Sequence, residues 1–498
     1  MREKAVDVLE KMLEVRKGVA SDGEKLYRSW EEYDIREPYQ VSARNLACYM
    51  AFRQHDMRSL QEALVPWGVS SLGRLEADVM GKLNAVCKTM SLITGEALDD
   101  AEIDYHSMQT FENRYNLLNK HTSEIFGEAD DDRNTHILVT MPTEASENEQ
   151  LVRDMIDAGM GMARINCAHD DEYTWGKMIR NIEAASKESG RNCRILMDIS
   201  GPKIRVKTLL TSKRNPKLYV GEKFLLSNQE AMRLSNGVEI AINTTVPEVL
   251  MKVDKGQLVK LDDGHIEAEV VEIRDEGLIC ETTKTVKENG VRIKTEKGVN
   301  FPDLDLNLSV LTEKDRKDLK FVAKHADVIA FSFIKSAEDI RTIESALEKE
   351  LSEEREELPV IAKIETAEAI DNMPGIIASG NANRPFGVMV ARGDLAVEIG
   401  YERLSEIQEE LLWICEAAHT PVIWATQVLE SLVKSGIPTR SEISDVVAGS
   451  RAECIMLNKG DYIVNGVRAV DDILRKFEDH HYKKTSMLRA LNIAEQQF

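Results

Sequence analysis

Eight short runs of β-branched and apolar residues recur between residues 136 and 458, and amphipathic helical stretches separate most of them. The runs are HILVTM (136–141), MARINCA (162–168), RILMDIS (194–200), VIAFSF (328–333), VIAKIE (360–365), GVMVARGDL (387–395), PVIWATQ (421–427) and CIMLN (454–458). Near-continuous apolar strands joined by helices are buried on both faces, which is the pattern of a parallel sheet. Eight strands match the count of a closed (β/α)8 TIM barrel. An open doubly wound sheet stays as the second choice, because periodicity cannot show closure.

Two segments break this pattern. Between Arg205 and Lys297 the helical period vanishes, and YVGEKFLL, QLVKLDDGHIEAEVVEI and GLICETTK alternate as strands, with Asp263-Gly264 as a turn signal. A small all-β module is therefore inserted after strand three, at the face of the barrel where an active site lies, and is placed to act as a lid. Ahead of the barrel, Ala5, Val8, Leu9, Met12 and Leu13 follow one helical face. Leu72, Leu75, Val79, Leu83, Val86 and Met90 follow another, with Ser70 and Ser71 as N-cap candidates. The predicted organisation is an all-helical extension over 1–132, barrel over 133–206 and 298–479, an inserted β lid over 207–297, and a tail over 480–498. The acidic run GEADDDRN (127–134) reads as the linker into the barrel.

With 498 residues the chain is too long for one compact domain. Its formal net charge of -22 argues against nucleic acid or an anionic membrane as partner, though not against an anionic small molecule in a local cationic pocket. The charged N-terminus has no apolar signal core, and no stretch has the apolar length of a membrane span. Seven scattered cysteines without a C-x-x-C pair fit reduced, buried thiols and a cytoplasmic location.

In a barrel of this kind the chemistry lies where strands run into their following loops. Polar residues gather there: Arg164 and Asn166, Asp198, Ser332, Lys363 and Glu365, Arg392 and Asp394, and Thr426. One ionisable group ending an apolar strand is more often a structural ion pair. A ring of them points to a site. Lys363 and Glu365 stand two apart on a strand and so share a side. A lysine supplies compact positive charge to a phosphoryl or enolate oxygen, and Arg164 offers a fork of donors to a phosphate. Glu365 with Asp394 offers two hard carboxylates, the usual protein share of a magnesium site. No Walker-type glycine loop is present, so side chains and metal must hold any phosphate. Taken alone, these residues describe a barrel enzyme that handles a phosphorylated anion with a divalent metal.

From about residue 135 to 479 the sequence resembles pyruvate kinase. AGMGMARINCAHD, LMDISGPKIRV, KGVNFPDLDL, IAFSFIKSAED, IAKIETAEAI, MVARGDLAVEIG and PVIWATQVLESLVKSGIPTRSEISDV carry the resemblance, in the order of that family. It implies transfer of phosphate from phosphoenolpyruvate to ADP, giving pyruvate and ATP in glycolysis, with Mg2+ (or Mn2+) as cofactor. It further implies that Lys363 stabilises the phosphoryl group in flight and the enolate, with Arg164 on the phosphoryl group. Glu365 and Asp394 would hold the metal, and Ala391, Arg392, Gly393, Thr426 and Ser332 would line the substrate. Asn166, His169, Arg205 and Lys297 would border the nucleotide. The partners implied are small molecules, and a homo-oligomer is compatible with them.

Departures from the family pattern sharpen this expectation. Two of the four positions that bind potassium in many members, Asn166, Ala168, Asp198 and Ile199, lack a side-chain oxygen. Lys203 stands where potassium-dependent members carry glutamate, so its ammonium is expected to replace the ion and K+ is not required. After strand eight the chain runs CIMLNKGDY, a shortened loop with Asn458 in place of a serine of the proton-delivery network, while Lys459 and Asp461 keep the family's KGDY. The usual C-terminal regulatory domain has no evident counterpart, and the helical extension is far longer than the family's leader. Two other readings stay open: a phosphoenolpyruvate- or pyruvate-using barrel with another acceptor, and a catalytically silent binding or regulatory homologue. His480 and His481 read as solvated, SSLGR as a helix start, and EKELSEEREEL as an exposed helix end.

Overall fold

The computed structural model describes residues 2–487 except 100, 130–132, 235–236, 303, 305–307, 353–354, 356 and 484. Parts of the acidic run 127–134, of KGVNFPDLDL and of EKELSEEREEL, and the tail beyond 487, therefore lie outside the described residues.

The eight apolar runs form eight parallel strands that close into a barrel: β1 (His136–Thr140), β2 (Met162–Asn166), β3 (Arg194–Ile199), β4 (Val328–Phe331), β5 (Val360–Ile364), β6 (Phe386–Ala391), β7 (Val422–Ala425) and β8 (Cys454–Leu457). Each strand pairs with its neighbours in sequence, and β8 closes on β1 in the register His136 to Cys454 and Val139 to Leu457. Closure removes the open doubly wound alternative. GVMVARGDL is only partly strand: β6 stops at Ala391, and Arg392–Ile399 is helical, so Asp394 sits in a first helical turn.

The segment after β3 forms a seven-stranded, mostly antiparallel sheet with its own apolar core, including Val206, Phe224, Ile242, Val259 and Phe301. Leu258–Leu261 and Ile266–Arg274 make the hairpin at Asp263-Gly264, whose residues Asp262, Asp263 and Gly264 all take positive φ. The module leans on the barrel, where Lys260 Nζ donates to the Val397 carbonyl at 2.6 Å.

The N-terminal segment folds as helices α1 (Arg2–Ser29), α2 (Glu37–Arg53), α3 (Arg58–Leu64), α4 (Val79–Thr94) and α5 (Met108–Phe126). Ser70 and Ser71 do not cap α4, and SSLGR starts no helix. The cap is Asp78, whose side chain accepts from the Gly81 N–H, while Leu72 takes φ +62 in a loop. Leu72 and Leu75 are nonetheless buried, so loop residues packed on the same core had extended the apparent helical period. At its end, α5 places Ile125 and Phe126 among Leu138, Met162, Leu196, Val328, Ile361, Met389 and Ile423, inside the barrel. The extension thus plugs the barrel base, opposite the strand ends that carry the polar groups. Among the described residues no helix is long and apolar enough to cross a membrane.

Candidate active site

Strand geometry carries the polar ring to one mouth of the barrel. Lys363 points inward from the end of β5 and is 9% exposed, and Asp198 and Glu365 beside it are 1% and 2% exposed. Such burial is tolerable only for groups that neutralise one another. Lys363 Nζ lies 2.7 Å from Ser332 Oγ, 3.2 Å from Glu365 Oε1 and 3.4 Å from either Asp198 oxygen. Arg164 grips Asp198 through Nε at 2.8 Å and Nη2 at 2.7 Å, and donates from Nη1 to Thr140 Oγ1 at 2.9 Å. Of the five N–H donors of a guanidinium, one on each terminal nitrogen has no partner among the described residues. Burial acts to raise the Asp198 carboxyl, but Lys363 and Arg164 overcome it and hold it below the usual range.

Glu365 titrates the other way. Burial raises its pKa, and the charge of Asp394 adds to the rise against the attraction of Lys363. Two carboxylates that repel one another beside a mouth of the barrel fit a divalent cation, which would remove that repulsion. Lys203 now supplies part of the compensation, with Nζ 2.5 Å from Asp394 Oδ1 and 3.6 Å from Asp263 Oδ1. Among the described residues no group of three or more His, Cys, Asp or Glu could hold a metal, so Glu365 and Asp394 would act as a two-carboxylate set.

The Thr426 side of the mouth is built by close approach. A Cβ on Gly393 would sit 2.7 Å from Thr426 Cγ2, so glycine lets the start of the Arg392–Ile399 helix touch the loop after β7. That loop holds Thr426, Gln427 and Leu429 at positive φ, a strained conformation for side-chain-bearing residues. Arg392 braces it. Its Nε donates to the Ala425 carbonyl at 2.8 Å and its Nη2 to the Thr426 carbonyl at 2.6 Å, while Asp445 takes Nη1 at 2.5 Å and Nη2 at 2.8 Å. The guanidinium also stacks 4.3 Å from the Trp424 ring centroid. Asp445 was not singled out from the sequence, although it lies in the segment ending SEISDV that carries the resemblance.

Asn166 and His169 open onto a cavity of about 340 Å³ with Arg164, Glu430, Asn458 and Lys459. Burial, then the charges of Lys459 and Arg205, lower the His169 pKa, so the ring is neutral near pH 7. Arg205 and Lys297 lie at the root of the inserted module, where Arg205 donates to the Glu296 carbonyl at 2.9 Å and Lys297 pairs with Asp262 at 2.6 Å. Ala391 ends β6 and Ser332 follows β4, so the ring predicted from strand ends does converge.

The family model for the pyruvate kinase barrel domain matches residues 132–467. A pyruvate kinase from Geobacillus stearothermophilus is 35% identical over 353 residues, which cover 70% of this chain and 57% of that protein. One from Clostridium perfringens is 34% identical over 348 residues, covering 68% and 70%, respectively. Human pyruvate kinase PKLR is 32% identical over 366 residues, covering 71% and 61%. The match spans less than two thirds of the Geobacillus and human proteins. With the barrel matched from end to end and its polar ring assembled at one mouth, the chain belongs to the pyruvate kinase family.

Proposed function

We propose that the chain transfers the phosphoryl group of phosphoenolpyruvate to ADP, giving pyruvate and ATP. The observation that carries this is the Lys363 ammonium, buried at the barrel mouth between Ser332, Asp198 and Glu365, in a family whose named relatives are pyruvate kinases. Phosphoryl transfer asks for positioned charge more than for covalent chemistry. Lys363 is placed to meet charge on the moving phosphoryl group and then on the enolate oxygen. Arg164, oriented by Asp198 and Thr140, presents its two remaining N–H groups to the phosphate. Glu365 and Asp394 would hold Mg2+ or Mn2+, which supplies positive charge to the phosphoryl and enolate oxygens when bound. The Ala391–Gly393 backbone and Thr426 receive the carboxylate end of the substrate, and Asn166, His169, Arg205 and Lys297 border the nucleotide. The inserted module closes over it.

Lys203 extends the proposal to monovalent ions. Its ammonium is fixed at Asp394 and carries the unit charge that potassium would bring. Turnover is expected to be the same in potassium and tetramethylammonium salts; a steep potassium requirement would remove this role. A second enzymatic reading, in which another acceptor replaces ADP, draws on the short connection from Asn458 to the helix at Ile463. One assay separates the two. Incubation with phosphoenolpyruvate, Mg2+ and ADP is expected to yield pyruvate and ATP in equal amounts, and pyruvate without ATP would shift the assignment to the second.

A further inference from the structure

A cleft of about 350 Å³, which shares no lining residue with the cavity at Asn166 and His169, lies where the inserted module meets the barrel. Its apolar walls include Ile204, Phe301 and Leu308 from the module and its exit, and Phe333 and Ala367 from the barrel. Mostly apolar walls with a few placed polar groups, at a junction of two bodies, are the usual make-up of a small-molecule site.

The polar groups define the occupant. Lys203 is neutralised by Asp394 and Asp263, and Lys335 faces Glu368 at 3.4 Å. Glu398 has no ion pair among the described residues. The Asn300 side chain is bonded to it, and Lys260 and Lys335 attract it only from farther off. Asn300 Oδ1 is buried with no hydrogen-bond partner among the described residues. Burial, with the charge of Asp394, pushes the Glu398 carboxyl up, against the Asn300 hydrogen bond and the charges of Lys260 and Lys335. Among the described residues the lining therefore offers an apolar slot, a carboxyl bonded to Asn300 but without an ion pair, and the Asn300 Oδ1 acceptor.

Three walls are joined to the metal ligands. Phe333, held at φ +59, donates its N–H to Glu365 Oε2 at 2.6 Å. Lys203 is bonded to Asp394. Glu398 follows Asp394 by one turn of the same helix. We propose that this cleft is a regulatory site for a small molecule that joins an aromatic or branched apolar body to a protonated amine. Its ammonium meets Glu398 and Asn300, its body lies against Phe301, Leu308 and Phe333, and occupancy shifts the geometry of Glu365 and Asp394. The binding depends on the cleft alone; the effect on metal rests on the metal site proposed above.

The test uses the full chain and three probes: phenethylamine, 3-phenylpropionate and ethylamine. Calorimetry is expected to show phenethylamine binding at least about tenfold more tightly than either the anion or the ringless amine. Leu308→Trp, which fills the slot, and Glu398→Gln, which removes the charge, should each weaken phenethylamine by about tenfold or more. Equal binding of the three probes, or binding unchanged in both variants, overturns the site. Saturating phenethylamine should also change Mn2+ affinity, read by electron paramagnetic resonance, by about fivefold. Bound phenethylamine with unaltered Mn2+ affinity overturns the coupling, whereas a chain that binds no Mn2+ at all counts against the metal site instead.

Discussion

Lys363 is the most consequential single side chain because two kinds of energy meet on it. Its ammonium, with Arg164, makes the burial of Asp198 and Glu365 tolerable, and in the proposed function the same ammonium would meet the charge of the phosphoryl group. Lys363→Met keeps the length of the side chain and removes both. Turnover is expected to fall by about 10²–10³-fold or more, the loss seen when one stabilising donor is removed from a reacting oxyanion. Stability should fall with it, by ~3–5 kcal/mol, since buried Glu365 loses its cation and Asp198 keeps only Arg164. A coupled assay for pyruvate and a urea titration measure the two effects, and turnover that survives the substitution would refute the mechanism. Lys363→Arg is no rescue. The planar guanidinium cannot repeat a compact ammonium between Ser332 Oγ and Glu365 Oε1.

At the scale of the element, the strand-to-helix junction at Ala391 decides where Asp394 points. The residues from Phe386 to Ala391 are apolar and buried, and the next turn gains from a carboxylate near its N-terminus. Strand alternation ran on through Arg392 and Gly393, so the junction was not legible in the sequence, although the residue types that meet there were. What fixes it is a contact 53 positions away, the Arg392–Asp445 pair, and no local pattern reports a contact of that range. Asp445→Ala leaves the Arg392 guanidinium, 10% exposed, beside the Ala425 and Thr426 carbonyls and the Trp424 ring, without its carboxylate. Stability should drop by ~3–5 kcal/mol, and kcat should fall as the Thr426 loop relaxes. Asp445→Asn, which still accepts a hydrogen bond, should recover part of kcat. If both variants matched the parent in urea midpoint and kcat, Arg392 would not be the brace of that loop.

For the whole molecule, the barrel and its inserted module were legible because each has its own period, while the docking of the extension was not. The apolar stripes of α1 and α4 announced packing without saying against what. They pack on one another and on α2, while α2, the stretch at Ala77 and α5 meet the barrel along a seam that is polar as well as apolar. His419, fully buried just ahead of β7, donates from Nε2 to the Ala77 carbonyl at 2.9 Å and accepts at Nδ1 from Ser42 Oγ at 2.9 Å. Its own carbonyl accepts from His121 Nδ1 at 2.7 Å, and Asn45 Nδ2 reaches the Ala417 carbonyl at 2.8 Å. Burial drives the His419 pKa down to about 3, against the hydrogen bond to Ala77, with His121 and Arg114 lowering it further. An unfolded histidine titrates near 6.5, so on acidification the unfolded chain takes up a proton that the docked chain refuses. The stabilisation is therefore complete above about pH 6.5 and declines as the pH falls toward the folded value, by ~2 kcal/mol at pH 5. Urea midpoints taken from pH 7.5 to 5 should fall accordingly. His121 and His136, also depressed by burial, add to the same slope. His419→Gln, which keeps a donor for the Ala77 carbonyl, should reduce the slope by about one proton. An unaltered slope in that variant would mean that the seam between extension and barrel does not hold His419 neutral.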